Sequence, residues 1–346
     1  MGDDGYLLWL VNNTPTTWWH DSADPVELAA GLQQGASGVT TNPVLTNVTL
    51  RAHPERWTDA LQGLPAGMDG EQQAEELVRR VVTRTAHALR PHFGGVDPRQ
   101  GYVCGQVNPA RAADRDAMLA MARRFHAWAP NIAVKLPVTA AGLDVLEACA
   151  AEGITVTATV SFCVPQVLAV AERYERGRAR ARAAGIAPGQ CYAVIMIGRL
   201  DDYLRAVAAD SQARVEEADI RLAGLAITKR AYALYRQRGY QAVLLVAALR
   251  GVHHMVELAG ADLIMSIHPK VQAMLRAPGV PREQRIDVPV PAEALARLQT
   301  MPEFVRAFEP DGLAPEEFLT WGLTQRTLSQ FIEAGWSGLE SWTAAH

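Results

Sequence analysis

Eight short runs rich in apolar and β-branched residues punctuate the chain: TTWWHD (16–21), GVTT (38–41), YVCGQV (102–107), IAVKL (132–136), ITVTATV (154–160), AVIMIG (193–198), AVLLVA (242–247) and DLIMSI (262–267). Helical patterns follow most of them: PVELAAGLQQ after the first, RAADRDAMLAMARRFHAW after the third and AGLDVLEACAAEG after the fourth. VPQVLAVAERYERGRARARAA follows the fifth and RGVHHMVELAG the seventh, while the second and sixth connections are longer and have room for additional helices. Strands apolar on both faces that alternate with amphipathic helices predict a parallel sheet with right-handed crossovers. Eight such units in roughly 250 residues is the size of a (β/α)8 barrel. A doubly wound sheet would call for a glycine-rich phosphate loop after an early strand, and neither GxGxxG nor GxxxxGK[ST] occurs. The expected fold is therefore α/β, a (β/α)8 TIM barrel over residues 1–274. The stretch 275–346 differs in texture. Its proline-punctuated start, RAPGVPREQRIDVPVPAEAL, leads into helical segments carrying Trp321, Trp336 and Trp342, which predicts a helical C-terminal extension docked on the barrel.

In such a barrel the C-terminal strand ends form one face, where chemistry gathers. The first run delivers His20, Asp21 and Ser22 there, the second Thr40, Thr41 and Asn42, and the third Gln106 and Asn108. The fourth delivers Lys135; the fifth Thr157, Thr159 and Ser161; the sixth Arg199 and Asp201; the seventh Arg250; and the eighth Ser266 and His268. Thr159 and Ser161 alternate along one strand face, as a barrel lining would.

Lys135 stands out for a compositional reason. Only three of the 33 basic residues are lysines, Lys135, Lys229 and Lys270, so arginine is the cation this chain uses where charge alone is wanted. Arginine does not shed its proton, whereas a lysine amine can be desolvated and made nucleophilic. A lysine beside a carboxylate and small hydrogen-bonding groups suits Schiff-base chemistry on a carbonyl, and two arginines supply bidentate donors for a phosphate. Lys229 lies on a helical pattern and reads as a surface lysine; Lys270, after His268 and Pro269, reads as near the mouth. Asp24 and Ser22 stand nearer than Asp21 to the next helix start, which leaves Asp21 free of capping. Adjacent His253 and His254 should point apart on their helix, so no metal site is expected.

Composition narrows the class further. A hydrophobic fraction of 49% and a net charge of −4 fit a globular enzyme and give no reason to expect a nucleic-acid or anionic-membrane partner. The arginine run ERGRARARAAG (175–185) reads as a solvated helix face. Four widely spaced cysteines without metal spacing suit a reducing cytoplasm, and the N-terminal LLWLV is too short for a signal peptide. No apolar run approaches the ~18 residues of a membrane span.

WHDSADPVELAAGLQQGASGVTTNPVLT, IAVKLPVTAAGLDVLEACAAEGITVTATVSF, IGRLDD and LLVAALR together resemble the transaldolase family of class I aldolases, from about Thr14 to Ser266. TTNP and VKxPxT at this separation form a specific pair, and the family carries its lysine on the fourth strand, where Lys135 falls. The resemblance implies cofactor-free, ping-pong transfer of a three-carbon unit between phosphorylated ketose and aldose substrates. It implies an imine between Lys135 and the ketose carbonyl, and Asp21 as the base for the C4 hydroxyl. It also implies that Asn42 and Thr159 hold substrate and a proton-shuttling water, and that Arg199 and Arg250 grip the phosphate.

Three positions depart from the family pattern. Gln106 stands where transaldolases proper carry a glutamate. Met196 stands where the fructose-6-phosphate aldolase branch carries a tyrosine, and Thr157 where several relatives carry asparagine. Transfer to an aldose, simple aldol cleavage, and a sugar-phosphate-binding barrel that has lost turnover all stay open at this point, as does assembly into a homo-oligomer.

Overall fold

The structure, a computed structural model, describes residues 5–343. Seven parallel strands form one sheet among these residues: β1 (Thr17–His20), β2 (Val103–Gln106), β3 (Ile132–Pro137), β4 (Val156–Thr159), β5 (Cys191–Met196), β6 (Val243–Ala247) and β7 (Ile264–Ile267). Their order is β1-β7-β6-β5-β4-β3-β2, which leaves β1 and β2 as edges. Val39 joins those edges. The His20 amide donates to Gly38 O (2.8 Å) and the Thr40 amide to His20 O (2.9 Å), while the Val39 amide donates to Tyr102 O (2.8 Å) and the Cys104 amide to Val39 O (3.0 Å). The predicted second strand, 38–41, is thus a single bridging residue that closes an eight-staved (β/α)8 barrel. A Cβ at Gly38 would lie 2.6 Å from the Trp19 ring, and Asn42 already caps the next helix.

The helices are α1 (Gly5–Asn13), α2 (Pro25–Gln33), α3 (Pro43–Ala52), α4 (Thr58–Leu61), α5 (Gly70–Leu89), α6 (Arg115–His126), α7 (Ala140–Ala151), α8 (Val164–Ala183) and α9 (Ile197–Ser211). They continue with α10 (Glu217–Arg238), α11 (Val252–Leu258), α12 (Pro269–Met274), α13 (Ala292–Leu298), α14 (Pro302–Phe308), α15 (Pro315–Phe318), α16 (Gly322–Phe331) and α17 (Ser337–Glu340). Side-chain caps start several of them: Asp24 accepts from the Val26 and Glu27 amides, Asn42 from Leu45 and Thr139 from Gly142. The LLWLV stretch, expected only not to be a leader, lies in α1 and buries Leu7 and Leu10. Trp19, Tyr102 and Tyr192 meet edge to face inside the barrel, with centroids 4.6 and 6.0 Å apart. Among the described residues no helix is long and apolar enough to cross a membrane.

From residue 275 the chain wraps the outside of the barrel. α13 packs on α10, α14 on α8, α9 and α10, α16 on α9, and α17 on α3 and α5. Lys229 fastens the start of this wrap. Its amine donates to Arg285 O (2.9 Å) and Val288 O (2.5 Å), so it is a half-buried tether and not the free surface lysine expected from its helix. Trp321 lies edge-on to Phe162 and Tyr203, and its indole donates to Glu303 (2.7 Å). Between α16 and α17 a π-helical turn, residues 332–336, presses Gly335 against the start of α3.

Candidate active site

A cavity of about 350 Å³ opens at the C-terminal ends of the strands, lined by Asp21, Lys135, Thr159, Met196, Arg199 and Arg250 among others. Lys135 comes from the middle of β3, 6% exposed, and its amine donates to the Thr41 carbonyl at 2.9 Å. Burial holds this amine below the usual ammonium range; Cys104 and Asp21 oppose that fall and Arg199 adds to it. Burial also pushes the Cys104 thiol up, so it stays uncharged and Asp21 is the real counter-charge. A neutral, desolvated amine is the nucleophilic form.

Asp21 follows β1, and its amide extends the ladder to Ile267 O (3.1 Å). Thr40 donates its hydroxyl to Asp21 Oδ1 (2.6 Å) and stands 2.6 Å from the Ser266 hydroxyl, so Ser266 donates to Thr40. This relay fixes the carboxylate from two staves. Asp24 caps α2, as the sequence predicts, and leaves Asp21 to the cavity. Asn42 both caps α3 and lines the cavity.

Several expected residues lie beside the cavity without lining it. Gln106, Lys135 and Thr157 are register partners on β2, β3 and β4, and so share one face of the sheet. Gln106 is buried with no partner for its Oε1; Thr157 is buried with its hydroxyl 3.4 Å from Cys104 Sγ. Thr41 turns its hydroxyl onto Cys104 O (2.6 Å) and offers Lys135 its carbonyl instead. Ser161 does not continue the face that Thr159 begins. Val160 has φ of 55°, in the left-handed region a β-branched residue avoids, so the chain turns after Thr159 and buries an unpartnered Ser161 hydroxyl. Buried Gln166 holds that turn, donating to Val160 O (3.1 Å) and accepting from the Phe162 amide (2.9 Å).

Arg199 and Arg250 also differ in detail from their expected places. β5 ends at Met196 and α9 begins at once, so Arg199 sits in the first helical turn and not on a strand end. Its guanidinium donates to Gln330 (2.6 Å) and lies 5.2 Å from the Phe331 ring centre. Burial, and then the neighbouring Arg250 charge, lower its pKa to about 10. Arg250 holds Asp202 through Nε at 3.0 Å and Nη2 at 2.8 Å. Asp201 instead meets His254 (3.0 Å). The His253 and His254 rings lie 4.1 Å apart, so they do not diverge as the helical pattern predicts. Among the described residues no cluster of His, Cys, Asp and Glu is arranged to hold a metal.

The sequence reading passed over Gln330 and Phe331. Phe331 lines the cavity, and the only trace of this in the sequence is the i, i+4 spacing that puts Arg326 and Gln330 on one face of α16. Lys270 is exposed at the rim, where it was expected.

The sequence is similar to known proteins over most of its length. The sequence pattern of the Transaldolase/Fructose-6-phosphate aldolase family matches residues 18–333. A transaldolase of Thiobacillus denitrificans is 29% identical over 332 residues, 87% of this chain and 88% of that protein. A transaldolase of Neisseria gonorrhoeae is 32% identical over 189 residues, 53% of this chain and 54% of its own length. The transaldolase 1 of Streptomyces avermitilis is 28% identical over 245 residues, 68% of this chain and 63% of its own.

Proposed function

This chain belongs to the Transaldolase/Fructose-6-phosphate aldolase family and is a transaldolase-type enzyme; from that premise we propose that it moves a dihydroxyacetone unit between sugar phosphates through an imine at Lys135. The observation that carries the reading is the buried amine of Lys135 opening into the same cavity as the Asp21 carboxylate and two guanidiniums. The amine attacks the C2 carbonyl of a ketose phosphate and the resulting carbinolamine loses water as the imine forms. Asp21 accepts the C4 hydroxyl proton while the C3–C4 bond breaks; its electron pair flows into the iminium, leaving an enamine and releasing an aldose phosphate. Attack by the enamine on an acceptor aldehyde, with the proton returned from Asp21, reverses the sequence. Asn42 and Thr159 face the sugar, and Arg199 and Arg250 take its phosphate.

Proton transfer through a carboxylate at Gln106 or a phenol at Met196 is not available to this chain. That favours Asp21, oriented by Thr40, as the group that moves protons. The test is to reduce the protein with borohydride in the presence of fructose 6-phosphate and map the added mass. A three-carbon adduct on Lys135 supports the reading; no adduct at that residue with any ketose overturns it. Release of product with and without erythrose 4-phosphate then separates transfer from simple cleavage.

A further inference from the structure

His268 stands directly after β7, on the stave next to Asp21. Trp19 and its register partner Ser266 face the barrel interior; two residues on, Asp21 and His268 take the same face of the same pair of staves. The Asp21 amide still bonds to Ile267 O (3.1 Å), so the ladder reaches this far, and neighbouring strands in a ladder run ~4.8 Å apart. Both residues line the cavity. Counted through Val39, β3 and β7 are four staves apart in a ring of eight, so His268 faces Lys135 across that cavity. We propose that His268 is a catalytic residue of this enzyme, its Nε2–H holding the C4 oxygen of the sugar beside Asp21 while the C3–C4 bond breaks and forms. The proposal rests on the imine reading above and deepens it.

His268 caps α12, its Nδ1 accepting from the Lys270 amide at 3.2 Å. A ring nitrogen that accepts carries no hydrogen, so the proton of the imidazole is on Nε2. Nε2 has no partner among the described residues. Serine, aspartate and asparagine are the ordinary caps. A histidine in their place satisfies the helix with one nitrogen and leaves a donor on the other. The backbone presets that donor. Pro269 favours an extended His268, which has φ of −67° and ψ of 145°, and Gln272 ties the turn to the barrel by donating to Ile267 O (2.6 Å). The nearby hydroxyls are already committed, since Ser266 donates to Thr40 and Thr40 to Asp21 Oδ1. No other imidazole lines the cavity among the described residues. In the synthetic direction the enamine carbon attacks the acceptor aldehyde, the carbonyl electron pair moves onto oxygen, and Asp21 returns its proton to that oxygen. His268 donates a hydrogen bond to the same oxygen throughout and keeps its own proton; a fixed donor aimed at developing negative charge lowers the barrier. Cleavage runs through the same contacts in reverse.

The experiment treats the full-length wild type, H268S and H268N with borohydride in the presence of fructose 6-phosphate or of dihydroxyacetone, maps the mass added to Lys135, and follows release of the aldose phosphate. Serine caps α12 but does not reach the sugar, so H268S keeps the melting temperature. Its release of aldose phosphate falls about 10²-fold, the effect of removing one donor from a developing oxyanion. Dihydroxyacetone, which has no C4 oxygen, is trapped on Lys135 as in the wild type. Fructose 6-phosphate leaves a six-carbon adduct in place of the three-carbon one, because the imine forms and cleavage then stalls. A residue that only capped the helix would not change the mass of the adduct. H268N, which caps through Oδ1 and still offers an amide donor, restores part of the rate. Release by H268S at the wild-type rate, or loss of its dihydroxyacetone adduct, refutes this role of His268 and leaves the imine reading standing. A wild type that gives no adduct at Lys135 with any ketose removes both.

Discussion

The amine of Lys135 donates to the main-chain carbonyl of Thr41 at 2.9 Å, so the lysine strand and the TTNP turn meet in one hydrogen bond. The two segments that stand out in the sequence are therefore one structural unit. The bond aims the amine across the barrel interior toward the mouth, and it uses a carbonyl, which a neutral amine can satisfy without an ion pair.

A buried amine with a depressed pKa has a signed effect on stability. Its folded value lies below the ordinary 10.5, so the native state binds the proton less tightly than the unfolded chain. The resulting penalty is complete below the folded pKa and fades as pH rises toward 10.5. Lys135→Met should therefore melt higher than the wild type at pH 7, each kcal/mol being worth about 1–2 °C for a chain of this length, and the gap should narrow toward pH 10.5. Melting curves of the two proteins across that range check it; a variant no more stable than the wild type at pH 7 contradicts the burial argument.

Asp21 accepts from the Thr40 hydroxyl and makes no ion pair among the described residues. Asp21→Asn keeps the size and the Thr40 contact and removes the base. Turnover should fall by about 10²–10⁴-fold, while borohydride still traps dihydroxyacetone on Lys135. Loss of trapping together with turnover would place Asp21 in imine formation instead.

Much of this site could be read from the chain because strand ends and a rare lysine are local signals. Lys135 lies in an apolar run, and Asp21 is left over once Asp24 is counted as the cap of α2. What stayed hidden depends on backbone or on distant chain. Val160 takes a left-handed conformation that valine disfavours, so no residue pattern announces that Ser161 leaves the lining. IGRLDD reads as the end of a strand because α9 starts with no linker. Phe331 and Gln330 belong to an ordinary amphipathic helix until the wrap brings α16 to the mouth. Val39 is too short a bridge to be told from a longer strand by composition.

That wrap depends on a close approach. A Cβ at Gly335 would stand 2.7 Å from the Val44 nitrogen and 2.8 Å from the Pro43 carbonyl carbon, backbone atoms at the start of α3 that cannot swing aside. Gly335→Ala should cost about 1–3 kcal/mol in denaturant unfolding and weaken fructose 6-phosphate binding, since α16 leads directly into this turn. Gly95→Ala, where a new Cβ meets nothing, should stay within about 0.5 kcal/mol. Equal stabilities of the two variants would mean the turn is not held as tightly as its geometry indicates.

Arg250 is held in place from behind. The Gly224 amide donates to Asp201 Oδ1 (2.8 Å), and Asp201 Oδ2 meets His254 Nε2 at 3.0 Å. His254 Nδ1 lies 3.2 Å from the Arg250 amide. Because Nδ1 accepts that amide hydrogen, Nε2 carries the ring proton and donates to Asp201. Ala248, two residues before Arg250, has φ of 58°, and its carbonyl accepts from the Arg250 guanidinium at 2.8 Å. The loop is thus strained and needs its anchor. His254→Ala strands a buried carboxyl and a main-chain donor together, so it should destabilise by about 2–5 kcal/mol. It should also raise KM for phosphorylated ketose more than it lowers kcat, because the loop that aims Arg250 loosens while Lys135 and Asp21 stay untouched. Denaturant unfolding and steady-state kinetics on the same preparation read both effects. A variant that loses stability with KM unchanged would reduce this chain of bonds to a packing role.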